Sequence, residues 1–422
     1  MAYLPRVYDS ILTRRLESKD AVLIEGAKWC GKTTTAQQQA RSVLYMQRPE
    51  TREQNIRLAS LQPSLLLAGD TPRLIDEWQL APTLWDAVRF EADKRQQFGQ
   101  FILTGSATPV ESGQRAHTGT GHIARMHMRP MSLFESGEST GQVSLGSLLA
   151  GEELVISACT DSLEEMAFLT SRGGWPRAVG VSQKAALQQA YDYLDAVAES
   201  DITEASGVRR SPELARSIMR SYARYIASQG KVTQMIADLE CADAGPSSET
   251  VRSYLEDLRR LFVIEELPSW NPNLRSKAAI RATPTRHFTD PSIAVAALGT
   301  GPEGLLSDLE TFGLLFESLC IRDLRTYMDA HDGFVSHYRD SNGLECDAVV
   351  HLRDGRYGLI EVKLGGDRLI DEGAKSLIEL RRTLDTSRMG NPAFLMVLTA
   401  TGGFSYPRED GVYVVPIRAL GV

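Results

Sequence analysis

Cysteine is scarce in this chain: five residues in 422, Cys30, Cys159, Cys241, Cys320 and Cys346, far apart and without a C-x-x-C pair. That excludes a disulfide framework and a zinc ribbon, and it fits a reducing compartment, the cytoplasm. Long apolar runs are missing too. No stretch approaches the roughly 18 consecutive apolar residues of a membrane-spanning helix. Met1–Asp20 carries Arg6, Arg14, Arg15 and Lys19 in place of the apolar centre of a signal peptide. Neither a span nor a secretory leader is expected. There is no basic surplus, since 46 Lys and Arg stand against 54 Asp and Glu for a net charge of −8. Any nucleic-acid contact must therefore be local. Repeats and low-complexity tracts are absent, and the 42% hydrophobic content is that of a globular chain. At about 100 to 200 residues per domain, this length implies roughly two to four domains.

What is present begins with AVLIEGAKWCGKTTT, Ala21 to Thr35. A short apolar strand enters a glycine-bounded turn, and a helix-compatible stretch from Thr34 to Arg41 leaves it. Gly26, Gly31, Lys32 and Thr33 fill the pattern G-x-x-x-x-G-K-[ST] in its confirming strand–loop–helix context. The glycines let backbone N–H groups of Gly26, Ala27, Lys28, Trp29, Cys30, Gly31 and Thr34 turn toward phosphate oxygens. Lys32 would bridge the β- and γ-phosphates of ATP and the Thr33 hydroxyl would ligate Mg2+. Cys30, near Lys28 and Lys32, is either a reactive thiol or a small loop filler.

A second motif follows in TPRLIDEWQ, a strand ending on Asp76 and Glu77. The first acid can hold Mg2+ with Thr33, and the second can polarise the attacking water. A helix with Leu84, Val88 and Phe90 leads to FILTGSATP, whose hydroxyls Thr104, Ser106 and Thr108 are candidates to sense the γ-phosphate. Alternating strands and helices predict a parallel α/β sheet whose strand ends converge on the nucleotide.

Between Glu111 and Gly137 lie His117, His122 and His127, spaced five and five, which does not gather three ligands on one face. Arg115, Arg125 and Arg129 in the same stretch are candidates for an arginine donated to a neighbouring copy's active site, with Arg125 foremost. The middle of the chain is helix-dominated. KVTQMIADLE, a turn, SETVRSYLEDLRRL with Ser248 as N-cap, and a wing strand FVIEELPSW suggest a winged helix. Its charges balance, so packing inside the protein is the favoured role for the second helix. Linkers are expected at Gly137–Glu152 and Ala282–Leu305.

The last third combines a long helix carrying Glu317 with strands carrying Asp347, Glu361 and Lys363. Acids on neighbouring strands offer hard oxygen ligands to Mg2+ or Mn2+, and a lysine two residues on, on the same strand face, can position water. Metal-dependent phosphodiester cleavage and a structural ion pair both fit this pattern.

YLPRVYDSIL, GAKWCGKTTT, LIDEWQ, ILTGSA, RPMSLFESG, GGWPRAV, LPSWNPNLRSKAAI, HFTDPSIA and the terminal ECD and IEVK together resemble a family of bacterial and archaeal AAA-like P-loop ATPases with a C-terminal domain of unknown function. The resemblance implies an AAA-like ATPase domain over 1–140, a helical and winged-helix-like region over 141–285, and a PD-(D/E)xK nuclease-like domain over 286–422. It assigns nucleotide and Mg2+ to Lys32 and Thr33, the acidic motif to Asp76 and Glu77, and the nuclease-like positions to Glu317, Asp347, Glu361 and Lys363. Two departures stand out: Gly121-His122 replaces the family's Gly-Arg, and Lys28 stands where arginine is frequent. The expected function is an ATPase coupled to a nuclease-like domain acting on DNA or RNA. The alternative is a nucleotide-gated regulatory protein whose nuclease-like domain cuts nothing and docks a partner. A homo-oligomer is expected if the arginine acts between copies.

Overall fold

The computed structural model describes residues 3–107, 121–160, 162–239, 245–271, 283–340 and 342–422. They form two compact units, one of Met1–Pro130 with Ser200–Arg210 and Glu256–Val263, the other of Met131–Glu199, Ser211–Leu255 and Ile264–Val422. Thr108, Arg115, His117 and Cys241 lie outside the described residues, as does part of the turn expected in the winged helix.

In the first unit, strands β1 (Ala21–Glu25), β2 (Ser42–Tyr45), β3 (Arg73–Asp76), β4 (Phe101–Gly105) and β5 (Ile123–His127) make one sheet in the order β2-β3-β4-β1-β5. All four pairings are parallel. The central strands read as unbroken apolar runs because helices cover both faces, and β4 is buried along its whole length. One side of the sheet closes over Leu23, Ile75, Leu103, Trp78 and Trp85, the two indoles 5.1 Å apart. Ahead of β1 the helix Val7–Leu16 buries Val7, Ile11, Leu12 and Leu16. The expected helix is Leu84–Arg95, which buries Leu84 and Val88, while Phe90 falls on its outer side and is 66% exposed. Parallel register puts Glu25, Tyr45, Asp76 and Gly105 at one edge of the sheet, and the chemistry-bearing residues gather there.

The second unit carries a mixed sheet. After β6 (Val143–Ser144) come β7 (Phe334–Arg339), β8 (Glu345–His351), β9 (Tyr357–Lys363), β10 (Phe394–Thr399), β11 (Tyr406–Pro407), β12 (Tyr413–Pro416) and β13 (Leu420–Gly421). Six of them are ordered β11-β12-β10-β9-β8-β7, while β13 pairs with β6. β7, β8 and β9 run antiparallel, and β9, β10 and β12 parallel. The helices Leu309–Ala330 and Asp367–Thr383 pack on β8 and β9.

Residues of three family-like motifs meet around one buried cation in this unit. Arg322 pairs with Asp290 at 2.8 Å and with Asp323 at 2.7 Å. Asp323 accepts the Leu133 N–H, and Asp290 accepts that of Gly174. Burial lifts the Asp323 carboxyl to about 6 against the pull of Arg322.

Three expectations are corrected here. Both linkers are parts of the packed structure: Val143–Ser144 is a strand, and Pro291–Leu298 is a helix with every residue from Pro291 to Ala297 buried. That segment, PSIAVAAL, is apolar all round, and such a helix has no solvent face. FVIEELPSW forms single bridges, Ile264 to Phe288, Leu267 to Thr285 and Ser269 to His337, in place of a wing strand. Pro268 lacks the N–H that a continuous ladder needs. Ser247, one residue earlier than expected, accepts the Thr250 N–H at 3.1 Å and caps the helix Ser248–Arg260.

Candidate functional site

The loop after β1 has the backbone its sequence demands. Gly26 sits at φ 153, and a Cβ there would lie 2.1 Å from the Met128 carbonyl oxygen, so only glycine lets the loop pass. Gly31, left-handed at φ 102 and ψ 12, turns the chain into the helix Lys32–Gln37, shorter than the expected reach to Arg41. Trp29 holds φ 66 without being glycine. Non-glycine residues in that region often mark strained functional turns. Arg6 pins the loop from behind, donating to the Cys30 carbonyl at 2.8 Å and the Arg129 carbonyl at 2.9 Å. The Cys30 thiol is buried and donates to the Met128 carbonyl, which favours the filler reading. Lys32 is only 5% exposed, and its ammonium donates to the carbonyls of Gly26 at 2.9 Å and Ala27 at 2.7 Å.

Thr33 and the strand-end acids come together. The Thr33 hydroxyl donates to Asp76 Oδ1 at 2.6 Å, and Thr104 from β4 donates to the same oxygen at 2.7 Å. Gln47, just beyond β2, donates its amide to Asp76 Oδ2 at 2.9 Å. Register explains the meeting, because Tyr45, Asp76 and Thr104 are paired across three adjacent strands. Glu77 turns out of β3 at φ 57 and accepts from Ser106 Oγ at 3.0 Å and from the Gln79 amide. Gln79 Oε1 is buried and has no hydrogen-bond partner among the described residues. A buried acceptor beside a candidate general base is a place for water. Gln47, Gln79 and Arg6 are site residues that motif reading missed, while Ser106, expected to sense the γ-phosphate, donates to Glu77 instead. Only Gln79 carried a hint, through its place in LIDEWQ.

These residues fit a Mg2+ nucleotide. The cradle leaves no room for a side chain at Gly26, the hydroxyl and carboxylate oxygens of Thr33 and Asp76 are hard donors of the kind Mg2+ takes, and an orphaned acceptor lies next to Glu77.

The remaining predicted residues of this unit are placed as follows. Lys28 turns from the loop to Asp201, Nζ to Oδ1 2.5 Å. Thr34 is exposed on the short helix. Arg125 lies on β5 with its guanidinium 5.5 Å above the Trp85 ring and 3.3 Å from Glu25 Oε2. Arg129 is buried against the Tyr8 hydroxyl. His122 sits between Asp20, at 2.6 Å, and Asp93, at 3.2 Å.

In the second unit the four expected residues also converge. The Lys363 ammonium lies 2.6 Å from Glu361 Oε2 and 3.4 Å from Asp347 Oδ2, and Asp347 accepts the Val362 N–H at 2.7 Å. Burial and then Asp347 push the Glu361 carboxyl up to about 8, and the same two causes hold Glu317 well above the usual carboxyl range. Against the downward pull of burial, Asp347 and Glu361 keep Lys363 an ammonium well beyond its ordinary range. Glu345 points away, to Arg339 at 2.9 Å. No three His, Cys, Asp or Glu side chains among the described residues are grouped closely enough to hold a metal ion. No described helix is long and apolar enough to cross a membrane.

Three family models match successive stretches of the chain: an AAA domain over residues 18–136, a domain of unknown function (DUF8612) over 163–304, and a further domain of unknown function (DUF4143) over 312–420. The chain is similar to an uncharacterized protein of Mycobacterium bovis and to one of Mycobacterium tuberculosis, each 22% identical over 409 residues that cover 96% of this chain and 82% of the relative. Among solved structures it is similar to a Walker-type ATPase of Pyrococcus abyssi, at 14% identity and a TM-score of 0.42, over 70% of this chain and 96% of that one. By the family-model matches, residues 18–136 are an AAA-type P-loop ATPase domain, and a DUF4143 region lies C-terminal to it.

Proposed function

We propose that the chain binds Mg2+·ATP in the loop Gly26–Thr33 and hydrolyses it slowly, in the cytoplasm, as three functional segments, 1–140, 141–285 and 286–422. The observation that carries this reading is the convergence of Thr33, Thr104 and Gln47 on Asp76, with Glu77 held beside them by Ser106 and Gln79. Bound Mg2+·ATP supplies the phosphoanhydride and the metal charge that offsets its phosphates. Lys32 can leave two neutral carbonyls for phosphate oxygens, and the backbone N–H groups from Gly26 to Thr34 line the same loop. Thr33 and Asp76 hold the metal. Glu77 takes a proton from water, and Gln79 Oε1 accepts the other hydrogen and fixes its direction. Arg125, on an exposed strand edge, is the candidate to act on a neighbouring copy, which makes a homo-oligomer part of the reading.

The test is nucleotide binding and phosphate release measured together. Lys32→Ala is expected to lose binding, and Glu77→Gln to keep it while turnover falls about a hundredfold or more. Unchanged release in Glu77→Gln removes Glu77 from the mechanism.

A second activity is favoured by one observation, the meeting of Glu317, Asp347, Glu361 and Lys363 with carboxyls raised by burial and mutual repulsion. We propose that Asp347 and Glu361 take Mg2+ or Mn2+ and that this region acts on DNA or RNA. Lys363 then serves as a fixed cation toward phosphate, since an ammonium held so firmly is no base. Mn2+ should raise the Tm of the full chain and of Lys32→Ala, but not of Asp347→Ala. If Mn2+ leaves Tm unchanged and no nucleic acid is cut, the cluster is a structural ion pair. The docking reading then takes its place.

A further inference from the structure

Lys28 belongs to the phosphate loop by sequence, yet its charge is spent elsewhere. Its side chain is 36% exposed and its ammonium lies 2.5 Å from Asp201 Oδ1 and 3.9 Å from Glu204 Oε2. Asp201, in contrast, is 7% exposed. Its one other hydrogen bond among the described residues is from the Ser200 hydroxyl at 3.3 Å. The carboxylate stands at the start of the helix Ile202–Ser206 but does not cap it. It is committed to the loop lysine instead. Asp201 also ends a π-helical turn, Val197–Asp201. Such turns are rare and recur at functional positions.

The two partners are unequal. Lys28 has a flexible stem and access to water, so it can exchange one anion for another at little cost. Asp201 cannot, because a carboxylate left buried without its cation must move toward water or gain a proton. Phosphate oxygens entering the loop compete for the Lys28 ammonium at close range. Whatever takes Lys28 away therefore acts on the segment that holds Asp201.

We propose that Asp201 is a positioning residue that holds Lys28 out of the cradle until a polyphosphate takes it, so that Asp201–Ser206 responds to the nucleotide state of the loop. This rests on the reading that Gly26–Thr33 binds Mg2+·ATP, and it adds to that reading a residue far away in sequence and a regulated step.

The experiment titrates Mg2+·ATPγS into the full-length wild type, Lys28→Gln, Asp201→Asn, the double variant and Lys32→Ala. Amide hydrogen exchange over residues 202–207 is followed in parallel. Asp201→Asn should tighten binding about three- to tenfold, the range expected for removing a half-exposed ion pair that competes with the ligand. Lys28→Gln should weaken it by a similar factor, and the double variant should match Lys28→Gln. Exchange at 202–207 should rise with nucleotide in the wild type and be high without it in both single variants. Weaker or unchanged binding in Asp201→Asn, or tightening that persists in the Lys28→Gln background, overturns the proposal. So does exchange at 202–207 that ignores nucleotide. If Asp201→Asn does not fold, Lys28→Gln removes the same contact from the exposed side, and its exchange decides. Should the wild type bind no nucleotide, or bind it as Lys32→Ala does, the ATP reading fails and takes this one with it. Lys32-dependent binding that Asp201→Asn does not alter ends the positioning role alone.

Discussion

Lys32 and Lys363 are each the lysine of a candidate site, but they differ in what they touch. Lys32 gives its protons to two backbone carbonyls, while Lys363 gives them to two carboxylates. Carbonyls are neutral and compete weakly for an ammonium, so a phosphate can take Lys32 from them. Carboxylates hold it as a counter-ion. The acids differ in the same sense. Asp76 is held by neutral donors from Thr33, Thr104 and Gln47, whereas Glu361 and Asp347 share the one Lys363 ammonium, with the Val362 N–H on Asp347 and the Ser376 hydroxyl 3.5 Å from Glu361. The first grouping is ready to receive a charged ligand, and the second already balances its charge internally.

The glycines beside each grouping give the sharpest test. Gly26→Ala puts a methyl 2.1 Å from a backbone oxygen in a region of φ that alanine avoids, so nucleotide binding should be lost altogether. Gly373→Ala brings its methyl only to 3.3 Å from Val397, 3.4 Å from Glu361 and 3.5 Å from Lys363. It should move Tm by about 3 °C or less. A Gly26→Ala protein that still binds ATP in an equilibrium titration breaks the comparison.

Neutral donors should matter to rate more than to binding. Ser106→Ala takes one of two donors from Glu77 and should lower kcat about tenfold while nucleotide Kd holds. Equal losses in both would make Ser106 a scaffold residue.

The C-terminal grouping should show itself in pH dependence. Glu361 holds a proton in the folded state up to about pH 8 that an ordinary carboxyl would release near 4.5. The folded state thus binds more protons across that window, and this contribution to stability, full below about 4.5, is lost as pH rises to about 8. Because burial and the Asp347 charge raise Glu317 as well as Glu361, the slope belongs to both carboxyls. Glu361→Gln, which keeps the neutral form, should flatten it, so its Tm relative to wild type climbs from pH 5 to pH 8. Parallel melting curves for the two proteins would show that the Glu361 carboxyl is not raised.

The smallest effect is expected from Arg125→Ala. Its guanidinium is exposed and, among the described residues, tied to Glu25 and the Trp85 face, so stability should change by less than about 1 kcal/mol. Mixed with Lys32→Ala subunits it should recover part of its lost turnover if the arginine acts between copies. Full activity of Arg125→Ala alone removes it from that role, and buried Arg129 is a poor substitute.

The phosphate loop was legible because its geometry is local: strand, turn and helix are written within 15 residues, Ala21 to Thr35. Asp76 and Glu77 were legible for the same reason, as acids ending an apolar strand. Gln47 and Arg6 were not, since nothing near them in the chain says which strand end or carbonyl they will face, and for Ser106 the hydroxyl was readable but its acceptor, Glu77, was not. The supposed linkers failed on a different point. Gly, Ser, Thr and Pro cluster in loops, but the same residues satisfy buried polar groups, as Ser292 does for Asp290 and the Trp175 indole. The charged strand face in LIEVKL was readable. Whether its lysine served a metal or replaced one depended on a neighbouring strand.

The pairing of β13 with β6 also sets a timetable. The sheet of the first unit is complete once His127 has been made, but Ser139 waits for the Leu420 carbonyl, 281 residues later. At roughly 5 to 20 residues per second a ribosome takes about 14 to 56 s to close that gap. Through that interval the apolar segment around Val143 and Leu145 has no strand to pair with, while the earlier sheet can already be folded. The second unit is therefore the one exposed to misassembly during synthesis, and factors that shield nascent chains should matter to it far more than to the phosphate loop.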